Sequence, residues 1–355
     1  MILPTTYGVT LLLTIVSMIC WGSWANTQKL TGRWRFELFY YDYAFGVLLT
    51  TILVAVTFGS MGTDMSFVDN FAIAGKTKFV YGLAAGVVFN LANMLLVAAI
   101  AVAGLAVAFP IGIGIALVVG CVSNYVINPQ GNPKLLFSGV ALVLIAIILD
   151  ALAYRAHARS RKPVEEPVTP LPKQGRRPVY VKTAAPGSTK GIVLSIVSGL
   201  LMGSFYPLVE LGKQGENGLG PYSIGLIFAV GVFLSTFIFN IYFLNLPVIG
   251  EPIGMFQYFS GSLKQHTLGI LGGGIWCAGM LSNYVAASAP KEVQVGPAVS
   301  YAIGQGATMV SALWGVFVWK EFAGASSRAK ALLAFMFLFF AVGLTLVSIA
   351  PLYAH

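Results

Sequence analysis

A long uncharged stretch decides the fold of this chain. It lies between Lys78 and Lys134, and its residues 81–120 are YGLAAGVVFNLANMLLVAAIAVAGLAVAFPIGIGIALVVG. A helix crosses the hydrocarbon core of a bilayer with about 20 apolar residues. The stretch is therefore too long for one membrane-spanning helix and too short for three. We predict two helices here, with a turn near Gly104.

The rest of the chain has the same character, since 57% of its residues are hydrophobic and only 9% are charged. Soluble domains carry about one quarter charged residues, so the composition favours a membrane protein. The start of the chain has no positively charged region and no evident cleavage site, so we interpret the first apolar run as a retained helix. Ten apolar segments predict an all-α membrane protein, at 8–25, 42–62, 79–99, 105–127, 135–153, 191–209, 222–244, 267–287, 293–318 and 331–351. Residues 252–263 are too short to cross and are expected at the surface.

The positive charges predict which loops lie inside. Of the 21 lysines and arginines, 16 fall in odd-numbered loops and 5 in even-numbered loops. The positive-inside rule therefore places the odd loops in the cytoplasm and both termini outside, in the inner or plasma membrane. The segment 155–190 is basic and rich in proline, and we expect it to be a disordered cytoplasmic linker. It separates a five-helix unit, 1–154, from a second five-helix unit, 191–355.

The two halves carry similar residues in the same order. Gly22, Ser23 and Trp24 align with Gly203, Ser204 and Phe205, Gly86 with Gly273, Phe89 with Trp276, and Pro110 with Pro297. Because each half has an odd number of spans, the second half enters the membrane in the opposite sense. This predicts an inverted repeat, and such transporters bind substrate near the midplane between the repeats. Chance similarity among glycine-rich helices is the alternative.

Several stretches also resemble a known family. WGSWANTQKL at 21–30, followed by YYDYAFGVLLTTILVAVTFG at 40–59, resembles the first two helices of ureide permeases, and 81–120 resembles their third and fourth. WGVFVWKE at 314–321 resembles the end of the ninth helix in this family and in the glucose/ribose porters. All belong to the drug/metabolite transporter superfamily. The resemblance implies ten helices in two inverted five-helix repeats and transport of small polar metabolites, often by proton symport.

The candidate substrate-binding residues are aromatic or carry amides. Indoles offer flat faces to a planar heterocycle or a sugar, although tryptophans also anchor helices at the membrane surface. Amides donate and accept hydrogen bonds, and within the membrane they either bind solute or join helices. These candidates are Trp21, Trp24, Asn26, Phe89, Asn90, Asn93, Trp276, Asn283 and Gln305. No positive charge lies deep in a span, so a neutral polar solute is predicted.

Acidic residues near the spans are candidates for coupling, because intramembrane acids are functional by default. Asp42 is the first choice and Glu210 the second. The alternative is that both acids stabilise helix ends, for example Glu210 with Lys213. No cofactor is predicted, although a proton or sodium gradient could drive transport.

Three functional classes compete. The first is a permease importing a ureide, oxo-purine or pyrimidine, with a neutral sugar of the glucose, ribose or rhamnose type as the alternative substrate. The second is a drug or metabolite exporter of the same fold. The third, a membrane enzyme, lacks a nucleophile paired with a base, and we expect His157, His266 and His355 in loops or at a terminus. The expected partners are the solute and lipid, with no metal site and no nucleic acid, and the chain is expected to be a monomer or homodimer.

Overall fold

Ten helical spans form the structure, a computed structural model that describes residues 1–32, 34–62, 65–160, 189–247 and 251–353. The described residues are helices and connecting turns, and no strand occurs among them. The α-helices are α1 (Tyr7–Ser23), α2 (Ala25–Leu30), α3 (Phe36–Val56), α4 (Phe67–Ile73), α5 (Lys76–Ala103), α6 (Leu105–Ile127), α7 (Pro133–Ser160), α8 (Thr189–Lys213), α9 (Pro221–Asn245), α10 (Leu263–Ala286), α11 (Pro297–Gly304), α12 (Ala307–Leu313) and α13 (Ser327–Ile349). A π-helix covers Trp314–Val318, and 3-10 helices cover Met255–Ser260 and Ala350–Tyr353.

The predicted number of spans is confirmed, and two of the spans are composite. The first, Tyr7–Leu30, contains α1 and α2, and the ninth, Pro297–Val318, contains α11, α12 and the π-helix. Large apolar side chains such as Val126 and Ile238 are exposed on the outer surface of the bundle. Burying such surface in lipid removes it from water, so the chain is a multi-pass integral membrane protein.

The turn predicted near Gly104 is confirmed. Gly104 separates α5 from α6 with a φ of +83°, and Gly296 precedes α11 with a φ of +79°. Glycine adopts this left-handed backbone without the clash that a side chain would cause. The two glycines therefore reverse or redirect the chain before the fourth and ninth spans in the same way.

Glycine contacts between helices support equivalence of the two halves. A Cβ at Gly86 of α5 would overlap the Phe228 carbonyl of α9, and one at Gly273 of α10 would overlap the Tyr43 carbonyl of α3. Such close contacts need glycine. The predicted alignment of Gly86 with Gly273 thus joins two residues with the same packing role.

The fourth and ninth spans correspond in a different register from the one predicted. Gly22 of α1 packs on Ala307 and Val310 of α12, as Gly203 of α8 packs on Ala116 and Val119 of α6. Residues 116 and 119 therefore correspond to 307 and 310, which does not agree with the predicted alignment of Pro110 with Pro297. The connection that precedes the ninth span is longer than the one that precedes the fourth. The residues around the two prolines are similar only locally, so their alignment did not show this difference in length. The packing is compatible with an inverted repeat.

Helix α7 continues through Ser160, six residues into the segment predicted as a linker, and α8 begins at Thr189. The remainder of that prediction, 161–188, lies outside the described residues. We call the end of the bundle at which α7 ends and α8 begins the linker end, and the opposite end the N-terminal end. Helix α1 runs from the N-terminal end toward the linker end.

Candidate substrate site

A cavity of about 220 Å³ lies among α1, α5, α6, α8, α10 and the ninth span. Its wall lies near the middle of several helices, such as Phe89 in α5 and Trp276 in α10. The lining residues are Trp21, Trp24, Ala25, Phe89, Asn93, Leu96, Phe109, Ile113, Met202, Phe205, Trp276, Gly304, Gln305, Ala307, Thr308 and Ser311. Both halves of the chain contribute to this wall, as expected for a site between two repeats.

Packed aromatic rings form one side of the cavity. The ring centroids of Phe89 and Trp276 lie 4.5 Å apart, and those of Phe89 and Phe205 lie 5.2 Å apart. The Trp21 and Trp276 rings stack at 6.0 Å with a 20° angle between their planes. The Trp21 Nε1–H also donates to the Trp276 carbonyl oxygen at 3.2 Å. These contacts fix the orientation of the rings and give a preformed flat surface.

The polar groups of the cavity are uncharged. The amides and hydroxyls are those of Asn93, Gln305, Thr308 and Ser311, and the lining contains no charged side chain among the described residues. The Asn93 Nδ2–H donates to the Tyr40 hydroxyl at 3.0 Å, and Tyr40 is fully buried. An anion would meet no positive partner in this cavity, so its chemistry favours a neutral solute.

The ninth span is interrupted at the cavity. Helix α11 ends at Gly304, residues 305 and 306 form a turn, and α12 begins at Ala307. A Cβ at Gly304 would lie 2.6 Å from the Trp21 ring, so this position has to be glycine for the indole to fit. Interrupted helices at the midplane are typical of transporter substrate sites, because they bring backbone and side-chain polar groups to a ligand.

Six of the predicted site residues lie in the cavity wall: Trp21, Trp24, Phe89, Asn93, Trp276 and Gln305. Asn90 does not, although it lies three residues from Asn93. It is fully buried, and its amide donates to the Val232 carbonyl and to the hydroxyls of Ser235 and Thr236. Asn90 therefore joins α5 to α9.

Asn283 lies beyond the cavity, in a buried hydrogen-bonded layer toward the N-terminal end. Its Oδ1 accepts from the Tyr206 hydroxyl at 2.6 Å, and its Nδ2–H donates to Ser17 Oγ at 3.2 Å and to the Ser300 carbonyl at 3.0 Å. This group, which we call the N-terminal layer, consists of Ser17, Tyr206, Asn283 and Ser300. It joins α1, α8, α10 and α11.

Asn26 lies in a second layer on the other side of the cavity. Its Oδ1 accepts from Trp319 Nε1–H at 2.6 Å, and one turn earlier Ser23 Oγ accepts from Trp314 Nε1–H at 2.9 Å. Nearer the linker end, Lys29 Nζ lies 2.5 Å from Glu321 Oε1. We call these contacts between 23–29 and 314–321 the linker-end layer. They connect WGSWANTQKL at 21–30 to WGVFVWKE at 314–321, two of the stretches that carry the family resemblance.

Asp42 belongs to a compact polar cluster that joins α3 to α10. It is 3% exposed, its Oδ1 accepts from the Tyr258 hydroxyl at 2.5 Å, and its Oδ2 lies 2.8 Å from His266 Nδ1. Burial and the neighbouring Asp42 carboxylate raise the pKa of Tyr258, so the phenol remains a proton donor. We call Asp42, Tyr258 and His266 the Asp42 cluster.

The histidines differ from the prediction. His266 lies in the first turn of α10, and His157 is buried in α7. Both were expected in loops because the apolar runs appeared to start after His266 and to end before His157. The helices extend beyond those runs. His355 lies outside the described residues.

Comparison with known proteins finds the same family that the sequence resembles. A family model described as ureide permease matches residues 39–166. Ureide permease 2 of Arabidopsis thaliana is 27% identical over 390 residues, covering 96% of this chain and 95% of that protein. The chain is similar to ureide permeases over nearly its whole length. Its relatives are named as permeases, which are transporters rather than enzymes.

Further similarities also cover nearly the whole chain. Ureide permease 1 of Arabidopsis thaliana is 24% identical, covering 94% of each chain. Ureide permease 5 of the same plant is 25% identical, covering 96% of this chain and 94% of that protein. A solved crystal structure aligns with a TM-score of 0.56 at 15% identity, covering 97% of this chain and 98% of the other, and supports the fold.

The second predicted acid, Glu210, lies in an ion pair. Glu210 Oε1 lies 2.7 Å from Lys213 Nζ, and the two side chains are 5% and 9% exposed. The pair borders a separate cavity of about 470 Å³ at the N-terminal end. Glu210 therefore has a cationic partner on its own helix, whereas Asp42 is bound by residues from two other segments.

Sequence reasoning missed several residues of the site. Phe205 could have been found, because the repeat aligns it with Trp24. Thr308 and Ser311 carry no distinctive signal, since hydroxyls are common in membrane helices. Tyr258 and His266 were missed because both are distant from Asp42 in sequence.

Proposed function

We propose that this protein is a permease that carries a neutral ureide, or a related oxo-purine or pyrimidine, across the membrane by alternating access. Its relatives are named as ureide permeases. The observation that carries the proposal is the uncharged cavity walled by aromatic rings beside the break in the ninth span. Its volume of about 220 Å³ lies below the range of roughly 300–1,000 Å³ typical of drug-sized ligands, which favours a small metabolite.

Alternating access requires that the cavity open to one side at a time. The N-terminal layer and the linker-end layer lie on opposite sides of the cavity and consist of separate hydrogen bonds. In the proposed cycle one layer opens while the other stays closed. The excess of lysines and arginines at the linker end supports a cytoplasmic location for that end, with both termini outside.

Proton coupling is assigned to the Asp42 cluster. Protonation of Asp42 removes the charge that strengthens its contacts with Tyr258 and His266. The change weakens the contact of α3 with α10 and with the 3-10 helix. Tyr43, the next residue, packs its ring 4.9 Å from that of Trp24 in the cavity wall. Tyr43 and Trp24 therefore link the cluster to the proposed substrate site.

The substrate is tested by thermal stabilisation of the purified protein with two panels: allantoin, uracil and xanthine against glucose, ribose and rhamnose. A ligand at about 100 times its dissociation constant adds about 2.7 kcal/mol to the free energy of unfolding. We expect stabilisation by the heterocycles alone. Stabilisation by the sugars alone would assign the cavity to sugar transport. No stabilisation by either panel would favour a drug or metabolite exporter of the same fold.

The coupling role is tested with Asp42→Asn in proteoliposomes that carry a pH gradient. We expect loss of uphill uptake of allantoin, while binding measured by thermal stabilisation persists. The matched control is Glu216→Gln, which changes an exposed acid at the other end of the bundle. Unchanged accumulation by Asp42→Asn contradicts the assignment. Uphill uptake that follows a sodium gradient instead contradicts proton coupling itself.

A further inference from the structure

Some hydrogen-bonding groups of the cavity wall have partners within the protein, and others do not. The Gln305 side-chain amide and the Thr308 hydroxyl make no hydrogen bond within the described residues, although both line the cavity. The Asn93 Nδ2–H donates to the Tyr40 hydroxyl, and Asn93 Oδ1 accepts no hydrogen bond within the described residues. Ser311 Oγ donates to the Gly22 carbonyl at 2.9 Å. Among the amides and hydroxyls of the wall, the uncommitted groups are therefore the complete Gln305 amide, the Thr308 hydroxyl and Asn93 Oδ1.

The break in the ninth span accounts for the freedom of Gln305. Its backbone N–H still donates to the Tyr301 carbonyl, which closes the last turn of α11. The next residue, Gly306, turns the chain into α12, and its N–H donates to the Ile303 carbonyl. The N–H groups of Gln305 and Gly306 are thus used within the turn. The side chain of Gln305 is left available to a ligand.

A primary amide recognises one kind of edge particularly well. Its N–H donor and its C=O acceptor lie side by side in a plane, as in the bidentate pairing of glutamine with adenine. A ureido or cyclic imide group carries a complementary C=O and N–H in the same plane. A sugar hydroxyl rotates and has no such fixed edge. The flat aromatic wall also favours a planar ligand.

We propose that Gln305 reads the N–H/C=O edge of the substrate through two hydrogen bonds, with Asn93 Oδ1 accepting a further N–H and Thr308 bonding a second polar atom. This inference rests on the proposed function and names the groups that make the site selective for ureido chemistry. Gln305 acts as a specificity-determining residue. A ligand that keeps the ring and carbonyls but lacks both N–H groups loses the paired contact.

Hydantoin and 1,3-dimethylhydantoin provide the probe pair, because both rings are flat and keep both carbonyls while only the parent retains N–H donors. Binding is measured by thermal stabilisation of purified protein and of Gln305→Leu. We expect the wild type to bind hydantoin roughly 10- to 100-fold more tightly than the dimethyl compound. Gln305→Leu should reduce that ratio to near one, chiefly by weakening binding of hydantoin.

Gln257→Leu is the matched control, since Gln257 is exposed in the 3-10 helix outside the cavity, and its ratio should equal that of the wild type. Thr308→Val keeps the side-chain shape and should weaken hydantoin several-fold. If Gln305→Leu does not fold, Gln305→Met, which keeps the length of the side chain without its amide, is measured in its place. Equal binding of the two hydantoins by wild type, or an unchanged ratio in Gln305→Leu, overturns the role of Gln305 and leaves ureide transport standing. Stabilisation of the wild type by glucose and by neither allantoin nor hydantoin overturns both proposals.

Discussion

Gly22→Ala tests how closely α1 has to approach α12 beside the cavity. A Cβ at Gly22 would lie 2.5 Å from the Ala307 carbonyl oxygen and 2.5 Å from Val310 Cβ. Ordinary van der Waals contact begins at 3.4 Å, so the helices have to separate by roughly 1 Å. Overpacking of this kind costs about 1–3 kcal/mol, and the better helix propensity of alanine returns up to about 1 kcal/mol. We expect the free energy of unfolding to fall by about 1–2 kcal/mol.

The same separation should disturb binding. Ser311 Oγ donates to the Gly22 carbonyl at 2.9 Å, and an added distance of about 1 Å would break that hydrogen bond. Trp21 and Ala307 both line the cavity, so the cavity changes shape when these helices move apart. We expect allantoin affinity to fall several-fold together with stability.

The assay compares denaturant unfolding and allantoin binding for the purified variants. Gly8→Ala is the matched control, because Gly8 lies in the same helix and an added Cβ there meets no atom within 4 Å. Gly203→Ala provides the equivalent test in the other half, where the Cβ would lie 2.7 Å from Val119 Cβ. Wild-type stability and affinity in Gly22→Ala would refute the argument that close approach at this position shapes the site.

Three further substitutions probe the groups around the cavity. Glu210→Gln removes the counter-charge of Lys213, whose side chain is 9% exposed. It should lower the free energy of unfolding by about 1–3 kcal/mol, measured by denaturant unfolding, while uphill uptake per folded molecule persists. Loss of coupling at full stability would make Glu210 the coupling acid. Asn283→Leu removes the oxygen that accepts from the Tyr206 hydroxyl and should cost about 1–3 kcal/mol in the same assay. An unchanged unfolding midpoint would contradict a stabilising role of the N-terminal layer. Trp319→Phe removes one hydrogen bond to Asn26 and should cost about 1 kcal/mol; a stability gain would contradict the linker-end layer.

The sequence was sufficient for the architecture because the membrane imposes strict demands on it. Every span needs about 20 apolar residues, and every backbone polar group in lipid has to be satisfied within a helix. The uncharged stretch at 79–133 therefore had to form two helices, and Gly104 supplies the backbone conformation of the turn between them. The same reasoning identified six residues of the cavity wall, since indoles and amides stand out among aliphatic side chains.

Which face of each helix meets the cavity was decided only by the tertiary structure. Lipid and the protein interior are both apolar, so the sequence of a membrane helix carries little contrast between its outer and inner faces. Asn90 and Asn93 illustrate this, because they are three residues apart and one joins helices while the other lines the cavity. The pairing of Asp42 with His266 likewise depends on how α3 and α10 pack, which no local pattern in the sequence encodes.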